Sequence, residues 1–182
     1  MNFIKTEIED VIICEPKILK DSRGYFFESF RKDKLDNFLG FKTNFIQENQ
    51  SFSKKNVLRG MHYQKAPFEQ TKLVSVLQGT IIDAVIDLRK NSKTFGKHIK
   101  IELSEKNKKQ LFIPKGFAHG FLVKSEFAIV SYKVDNVYSQ EHEAGIIFND
   151  NVLQINWEVD FKSVIISDKD LCLPNFDQSK VF

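Results

Sequence analysis

The strongest constraint on this chain is a rapid succession of segments with a period of two. Residues 80–89 alternate cleanly, with Ile82, Ala84, Ile86 and Leu88 opposite Asp83, Asp87 and Arg89. Residues 98–103 set Ile99, Ile101 and Leu103 against His98, Lys100 and Glu102, so His98 is expected to be exposed. Side chains alternate across a strand, and each such segment reads as a strand with one buried face. Further strands are expected at 11–13, 25–30, 44–51, 58–64, 71–78, 110–114, 117–123 and 127–135, with turns at 21–24 and at Gly79. Strands in such quick succession form a sandwich or barrel. One helix interrupts them early, over Lys32–Leu39, where Leu35, Phe38 and Leu39 recur at helical spacing and Gly40 stops the run. The last third is less regular. Trp157 and residues 164–166 should pack, and Ser167-Asp168-Lys169-Asp170 reads as a turn or a short helix start. The 182 residues are expected to form one domain, 1–182, all-β with a few short peripheral helices.

Charge excludes some classes of function. The chain carries 27 basic and 24 acidic residues, a net +3, mixed along its length. Only Lys106-Asn107-Lys108-Lys109 is a local basic run, and it reads as a solvated turn rather than a nucleic-acid surface. The 18 phenylalanines exceed what one small core needs, which points to a subunit interface or a stacking site. Cys14 and Cys172 have no metal or redox spacing and are expected to be reduced, mostly buried thiols. Lys5, Glu7, Glu9 and Asp10 stand where a signal peptide needs an apolar run, and no segment approaches membrane-spanning length. A cytoplasmic protein with no membrane partner is expected.

The chemistry-bearing residues lie on strands. In Leu58-Arg59-Gly60-Met61-His62-Tyr63-Gln64, strict alternation puts Gly60, His62 and Gln64 on one face and Arg59, Met61 and Tyr63 on the other. His62 is then either a satisfied, half-buried histidine or a working one. Phe26, Glu28 and Phe30 share a face, where Glu28 is either edge solvation or a ligand contact. Gln47, Asn49 and Ser51 form a row of residues poorly suited to strands, either a wet edge or a hydrogen-bonding surface, the edge being the simpler reading. Tyr132 falls on the apolar face of Ala128, Val130 and Val134, where it either packs or aims a phenol inward.

Pro114-Lys115-Gly116-Phe117-Ala118-His119 turns the chain and then presents an imidazole. It resembles the second sequence motif of the cupin barrels. Against the first cupin motif, Gln64 stands in place of the second histidine and Lys72 in place of the glutamate. Cupin metals take imidazole and carboxylate ligands. At ~4 Å and an effective dielectric of ~20, two unit charges interact by about 4 kcal/mol, and a divalent ion would be repelled further by an ammonium. No metal is therefore expected. A histidine near Lys72 and Arg59 suits proton transfer beside a developing oxyanion.

Over nearly the whole chain, the sequence resembles the nucleotide-sugar 3,5-epimerases that act on dTDP-4-dehydro-6-deoxyglucose. The motifs are Asp21-Ser22-Arg23-Gly24 with Glu28; Gln47-Glu48-Asn49; the His62 strand; Lys72-Leu73-Val74; Pro114 to Phe121; Tyr132-Lys133 with Tyr138 and Glu143; and Lys169-Asp170. The resemblance implies a cupin-type jelly-roll barrel that epimerises carbons 3 and 5 through enolates with no cofactor. It implies His62 as the base, Asp170 as its orienting partner, Tyr132 as the acid, and Lys72 at the enolate oxygen with His119 nearby. Arg23, Glu28, Gln47, Asn49, Arg59, Glu143 and Lys169 match positions that hold the nucleotide, phosphates or sugar, and Tyr138 and Phe26 match rings that stack on thymine. It also implies a homodimer with exchanged N-terminal strands. The alternatives are an epimerase that inverts one carbon of a related 4-keto sugar, and a non-catalytic cupin that only binds a nucleotide sugar.

Overall fold

A computed structural model describes residues 1–176; residues 177–182 of the expected domain lie outside the described residues. Thirteen strands and two short helices are seen among those described. The strands are β1 (Asn2–Lys5), β2 (Ile12–Glu15), β3 (Leu19–Asp21), β4 (Gly24–Phe26), β5 (Gln47–Lys54), β6 (Leu58–Gln64), β7 (Lys72–Gln78), β8 (Thr80–Asp87), β9 (His98–Ser104), β10 (Gln110–Ile113), β11 (Phe117–Val123), β12 (Phe127–Val134) and β13 (Glu143–Gly145). The helices are α1 (Lys32–Leu39) and α2 (Asp168–Leu171). Two antiparallel sheets, ordered β1-β2-β10-β7-β12-β5 and β13-β6-β11-β8-β9, face each other as a jelly-roll barrel; β3 and β4 form a separate hairpin. Among the described residues no helix is long and apolar enough to cross a membrane.

The barrel interior is apolar at one end. Val74, Val76, Ile81, Val85, Leu111, Ile113, Phe117, Phe121, Ala128 and Val130 pack there from both sheets. The expected charged face of β8 is not solvated, because Asp83 and Asp87 are fully buried. The opposite face of β8, with Ala84 and Ile86, lies under Ile146, Phe148, Leu153, Ile155 and Trp157 of the C-terminal third. That covering turns an apparently two-sided strand into one buried on both faces. The indole of Trp157 is completely buried and donates to the Phe148 carbonyl at 2.9 Å. Ile165 then bonds the backbone of Asn56 and Leu58 at 2.9 and 3.0 Å, which delivers the following residues, and α2 with them, to β6.

Several boundaries differ from expectation. The strand expected at 25–30 ends at Phe26, because the chain leaves the hairpin so that Phe30 can pack on Phe45 beside α1. The strand expected at 44–51 runs Gln47–Lys54, following the full length of its partner from Val134 to Phe127. β1 escapes a periodicity reading because it is four residues long and mostly exposed. His98 is half-buried rather than exposed, and burial with Lys100 nearby lowers its pKa. Cys172 is exposed, whereas Cys14 is buried and its thiol is pushed up to about 12 by desolvation. α1 stands as expected, with Gly40 closing it in the left-handed region at φ 78°.

One irregularity resets the site-bearing strand. His62 pairs with His119, but Arg59 pairs with Phe121, so β6 spends three steps where β11 spends two. The extra residue is a β-bulge at Gly60, and it reverses the alternation beyond it. Arg59 therefore shares the inner face with His62, contrary to strict alternation, while Leu58 and Met61 turn outward to the Trp157 cluster. Close approach here requires glycine on β11 too: a Cβ on Gly120 would lie 2.6 Å from Met61 Sδ and 2.7 Å from the Arg59 carbonyl. Gly120→Ala is expected to cost about 1–3 kcal/mol of stability through overpacking, read as a lower urea midpoint at unchanged slope.

Candidate active site

Two adjoining cavities of about 430 and 290 Å³ share His62, Lys72 and Tyr132. His62 projects from β6 in the five-stranded sheet. Lys72 and Tyr132 project from β7 and β12 in the six-stranded sheet. Groups on facing sheets thus approach the same space from opposite sides.

The His62 imidazole is held from behind. Its Nε2 lies 2.7 Å from Oδ1 of Asp170, whose other oxygen accepts from the Gly60 N–H at 3.2 Å. Asp170 is only 4% exposed. Burial raises its pKa, but the His62 bond and charge, the Gly60 N–H and the Ser167 contact outweigh this and leave it below the usual carboxylate value. An ionised carboxylate only accepts, so Nε2 carries the proton and Nδ1 keeps the lone pair. The position of Asp170 follows from α2, where Ser167 caps the helix by accepting from the Asp170 N–H at 3.2 Å.

Lys72 is half-buried against the cavity, and its ammonium has no hydrogen-bond or ion-pair partner among the described residues. Desolvation lowers its pKa to about 8, opposed by the charges of Asp83 and Glu143. Tyr132 keeps its proton more firmly than a free phenol because burial raises its pKa, against the opposing effects of Asn49 and Arg59. On β5 Gln47 donates to Asn49 at 2.8 Å, and both line the larger cavity. The polar row is thus a hydrogen-bonding surface, although β5 is also the edge of its sheet. Arg59 reaches Ser53 at 2.9 Å and lines the smaller cavity with His119.

The mouth is tied by a carboxylate. Glu143 accepts from the Tyr138 hydroxyl at 2.6 Å and from Lys169 at 2.5 Å. Burial raises its pKa, but these bonds and the nearby His62 leave it lowered. Gln64, which stands where a cupin would offer a second histidine, instead exchanges two hydrogen bonds with the Ser139 backbone at 3.1 and 3.0 Å, and so fixes the loop that carries Tyr138.

Eleven of the fourteen site residues expected from the sequence line these two cavities: His62, Lys72, Tyr132, Asp170, Gln47, Asn49, Arg59, His119, Tyr138, Glu143 and Lys169. The remaining three stand elsewhere in the chain. Arg23 pairs with Asp21 on the hairpin at 2.6 Å with its side chain 88% exposed, and Phe26 is 71% exposed beside it. Glu28 bonds Lys34 at 2.9 Å next to α1. Sequence reading missed Asp83, which bonds His119 at 2.8 Å inside the barrel. No local signal marks the contact, because it depends on the β8–β11 register, where His119 pairs with Val85 and Asp83 lies two residues away, diagonally across the ladder.

An imidazole on one wall faces a phenol and an ammonium on the other, a set of side chains that suits proton transfer. This arrangement places the chain among the cupin-like barrel epimerases. A profile of the dTDP-4-dehydrorhamnose 3,5-epimerases matches residues 5–178. The chain is 47% identical to the dTDP-4-dehydrorhamnose 3,5-epimerase of Escherichia coli K12, covering 98% of this chain and 96% of that one. Among solved structures, it is similar to the Elizabethkingia anophelis dTDP-4-dehydrorhamnose 3,5-epimerase at TM-score 0.94, with 46% identity and 97% of each chain covered. It is also similar to the Legionella pneumophila dTDP-6-deoxy-D-glucose-3,5-epimerase in complex with dTDP-4-keto-L-rhamnose, at TM-score 0.93 and 44% identity, covering 97% of this chain and 93% of that one. The chain belongs to the dTDP-4-dehydrorhamnose 3,5-epimerase family.

The lowered pKa of Lys72 has a kinetic sign. The ammonium is charged below its pKa, so kcat/KM is expected to fall as pH rises through about 8. Replacing Lys72 with Arg, which stays charged, should remove that alkaline limb; a limb unchanged in Lys72→Arg would assign it to another group.

Proposed function

We infer that this protein converts dTDP-4-dehydro-6-deoxy-D-glucose into dTDP-4-dehydro-L-rhamnose by inverting carbons 3 and 5. The observation that carries the reading is the placement of His62 and Tyr132 on opposite sheets around one cavity, with the unpaired Lys72 on the strand next to that of Tyr132. The C4 ketone acidifies both neighbouring carbons. His62 Nδ1 takes the proton from one of them, the electron pair of that C–H bond forms the new C=C bond, and the carbonyl π pair moves onto oxygen to give the enolate. Asp170 stabilises the imidazolium so formed. The Lys72 ammonium faces the enolate oxygen, a fixed charge in a desolvated site where such charges act most strongly. Tyr132 then gives its phenolic proton to the carbon from the other face, and solvent exchange restores both groups. The same steps at the second carbon complete the product, and none of them requires a redox cofactor.

Arg59 and Lys169 suit a diphosphate, Arg59 through a planar fork that matches its oxygens. Tyr138, exposed at the mouth, offers a ring to the thymine. Arg23, Phe26 and Glu28 serve the same ligand from a second copy of the chain. Support comes from the β3–β4 hairpin, which stands apart from both sheets and leaves Leu19, Tyr25 and Phe26 exposed. β1 pairs with β2 of its own chain, so the hairpin is the segment available for exchange.

Replacing His62 with Ala should lower the exchange of solvent deuterium into carbons 3 and 5 by about 10²–10⁴-fold. Tyr132→Phe should impair product formation more than deuterium entry; equal losses in both would remove the phenol from its donor role. NMR of the product tests the two-carbon reading, and a product inverted at one carbon only would replace it with a single-site epimerase.

The shared site has its own test. Mixed Arg23→Ala and His62→Ala chains should regain about one quarter of wild-type sites, because half of randomly formed dimers are hybrids and each hybrid holds one complete site. No gain on mixing would confine Arg23 to its own subunit or remove it from the site.

A further inference from the structure

Asp83 takes no part in the mechanism above, yet it is the most deeply buried carboxylate beside the site, with no exposure to solvent. Its Oδ2 lies 2.8 Å from His119 Nε2, and its Oδ1 is buried without a hydrogen-bond partner. A buried acceptor left unsatisfied is costly, of order 1–3 kcal/mol and more when it is charged, so its retention calls for a reason. A complementary oddity lies across the barrel. Lys72, also pointing inward, is a cation with no hydrogen-bond or ion-pair partner among the described residues.

The other groups facing Lys72 are already engaged or carry no negative charge. From β6 come Arg59, His62 and Tyr63; from β11, His119; and from β12, Tyr132. At the mouth stand Tyr138 and Glu143, and from α2 come Lys169 and Asp170. Of the carboxylates, Asp170 is occupied by His62 and Gly60, and Glu143 by Lys169 and Tyr138. Asp83 is the one with an oxygen to spare.

We propose that Asp83 is a positioning residue for the epimerisation: its half-free carboxylate balances the Lys72 charge from across the barrel without binding it, so the ammonium stays available to the substrate's oxyanion. A direct ion pair would satisfy both groups and occupy the cation. A separated pair keeps the cation charged and free. The fall of the Lys72 pKa to about 8 fits this division, since burial drives it down and Asp83 is the larger of the two charges that resist. The same carboxylate accepts from His119 Nε2, which fixes that ring's tautomer and leaves Nδ1 as its open nitrogen. The inference rests on the epimerase reading for its purpose, but not for its measurement.

The test is an NMR titration of isotopically labelled lysine side chains in the ligand-free protein, with the Lys72 signal assigned by its loss in Lys72→Arg. The wild-type signal should titrate near 8. In Asp83→Asn its midpoint should fall by about one unit, since an opposite charge has been removed from a desolvated neighbour. The alkaline limb of kcat/KM should move with it while the acid limb stays in place, a pattern that a purely structural defect does not produce. A midpoint that stays put or rises in folded Asp83→Asn overturns the proposal. If that variant does not fold, His119→Gln leaves the Asp83 side chain in place and removes the imidazole. Its Lys72 midpoint should then stay at or above the wild-type value, and a fall of about one unit would assign the effect to the imidazole and overturn the proposal equally. Because the titration is read without substrate, it can fail while deuterium exchange supports the epimerase, and the reverse.

Discussion

The site depends on a hydrogen bond between residues 108 positions apart, His62 and Asp170. Without it, the imidazole has no fixed tautomer and no carboxylate behind it. The chain reaches this contact through packing. Trp157 anchors the C-terminal third on the outer face of the five-stranded sheet, Ile165 is bonded to the backbone on both sides of Val57, and α2 then presents Asp170 to the back of β6. The His62–Asp170 pair is therefore as rigid as the apolar layer beneath it, and an interior packed at high density transmits little slack.

The two-sheet construction explains why a barrel suits inversion. Groups on a single sheet approach a ligand from one side. Here the imidazole belongs to one sheet and the phenol and ammonium to the other, so the cavity is flanked on both sides by groups that can exchange protons. The bulge at Gly60 adds Arg59 to the imidazole's side, and Gly120 makes room for it. One inserted residue thus recruits a guanidinium that an unbroken strand would have pointed into the apolar layer beneath the C-terminal third.

The strands were readable where one face was apolar and the other polar, as in β9, and the motifs of the site-bearing strands carried the family. What could not be read depended on contacts remote in sequence. Asp83 looked like a solvated residue because nothing local reveals that β8 is covered on both faces. Arg59 was assigned to the wrong face because a bulge leaves the residue types unchanged. The pairing of His62 with Asp170 came from family resemblance, since α2 reaches β6 only after the whole C-terminal layer has folded. Arg23 and Phe26 belong to a legible motif, yet both stand exposed on the β3–β4 hairpin and line neither cavity.

Glu143 joins a strand end, the Tyr138 loop and α2 through two short polar contacts. The entrance is therefore fastened by charge rather than by grease. A fastening of this kind weakens as dissolved ions screen it, and it discriminates among visitors. A neutral sugar brings nothing that could draw Lys169 away from its carboxylate. A polyanion competes with Glu143 for Lys169, so an anionic visitor loosens a tie that an uncharged one leaves intact.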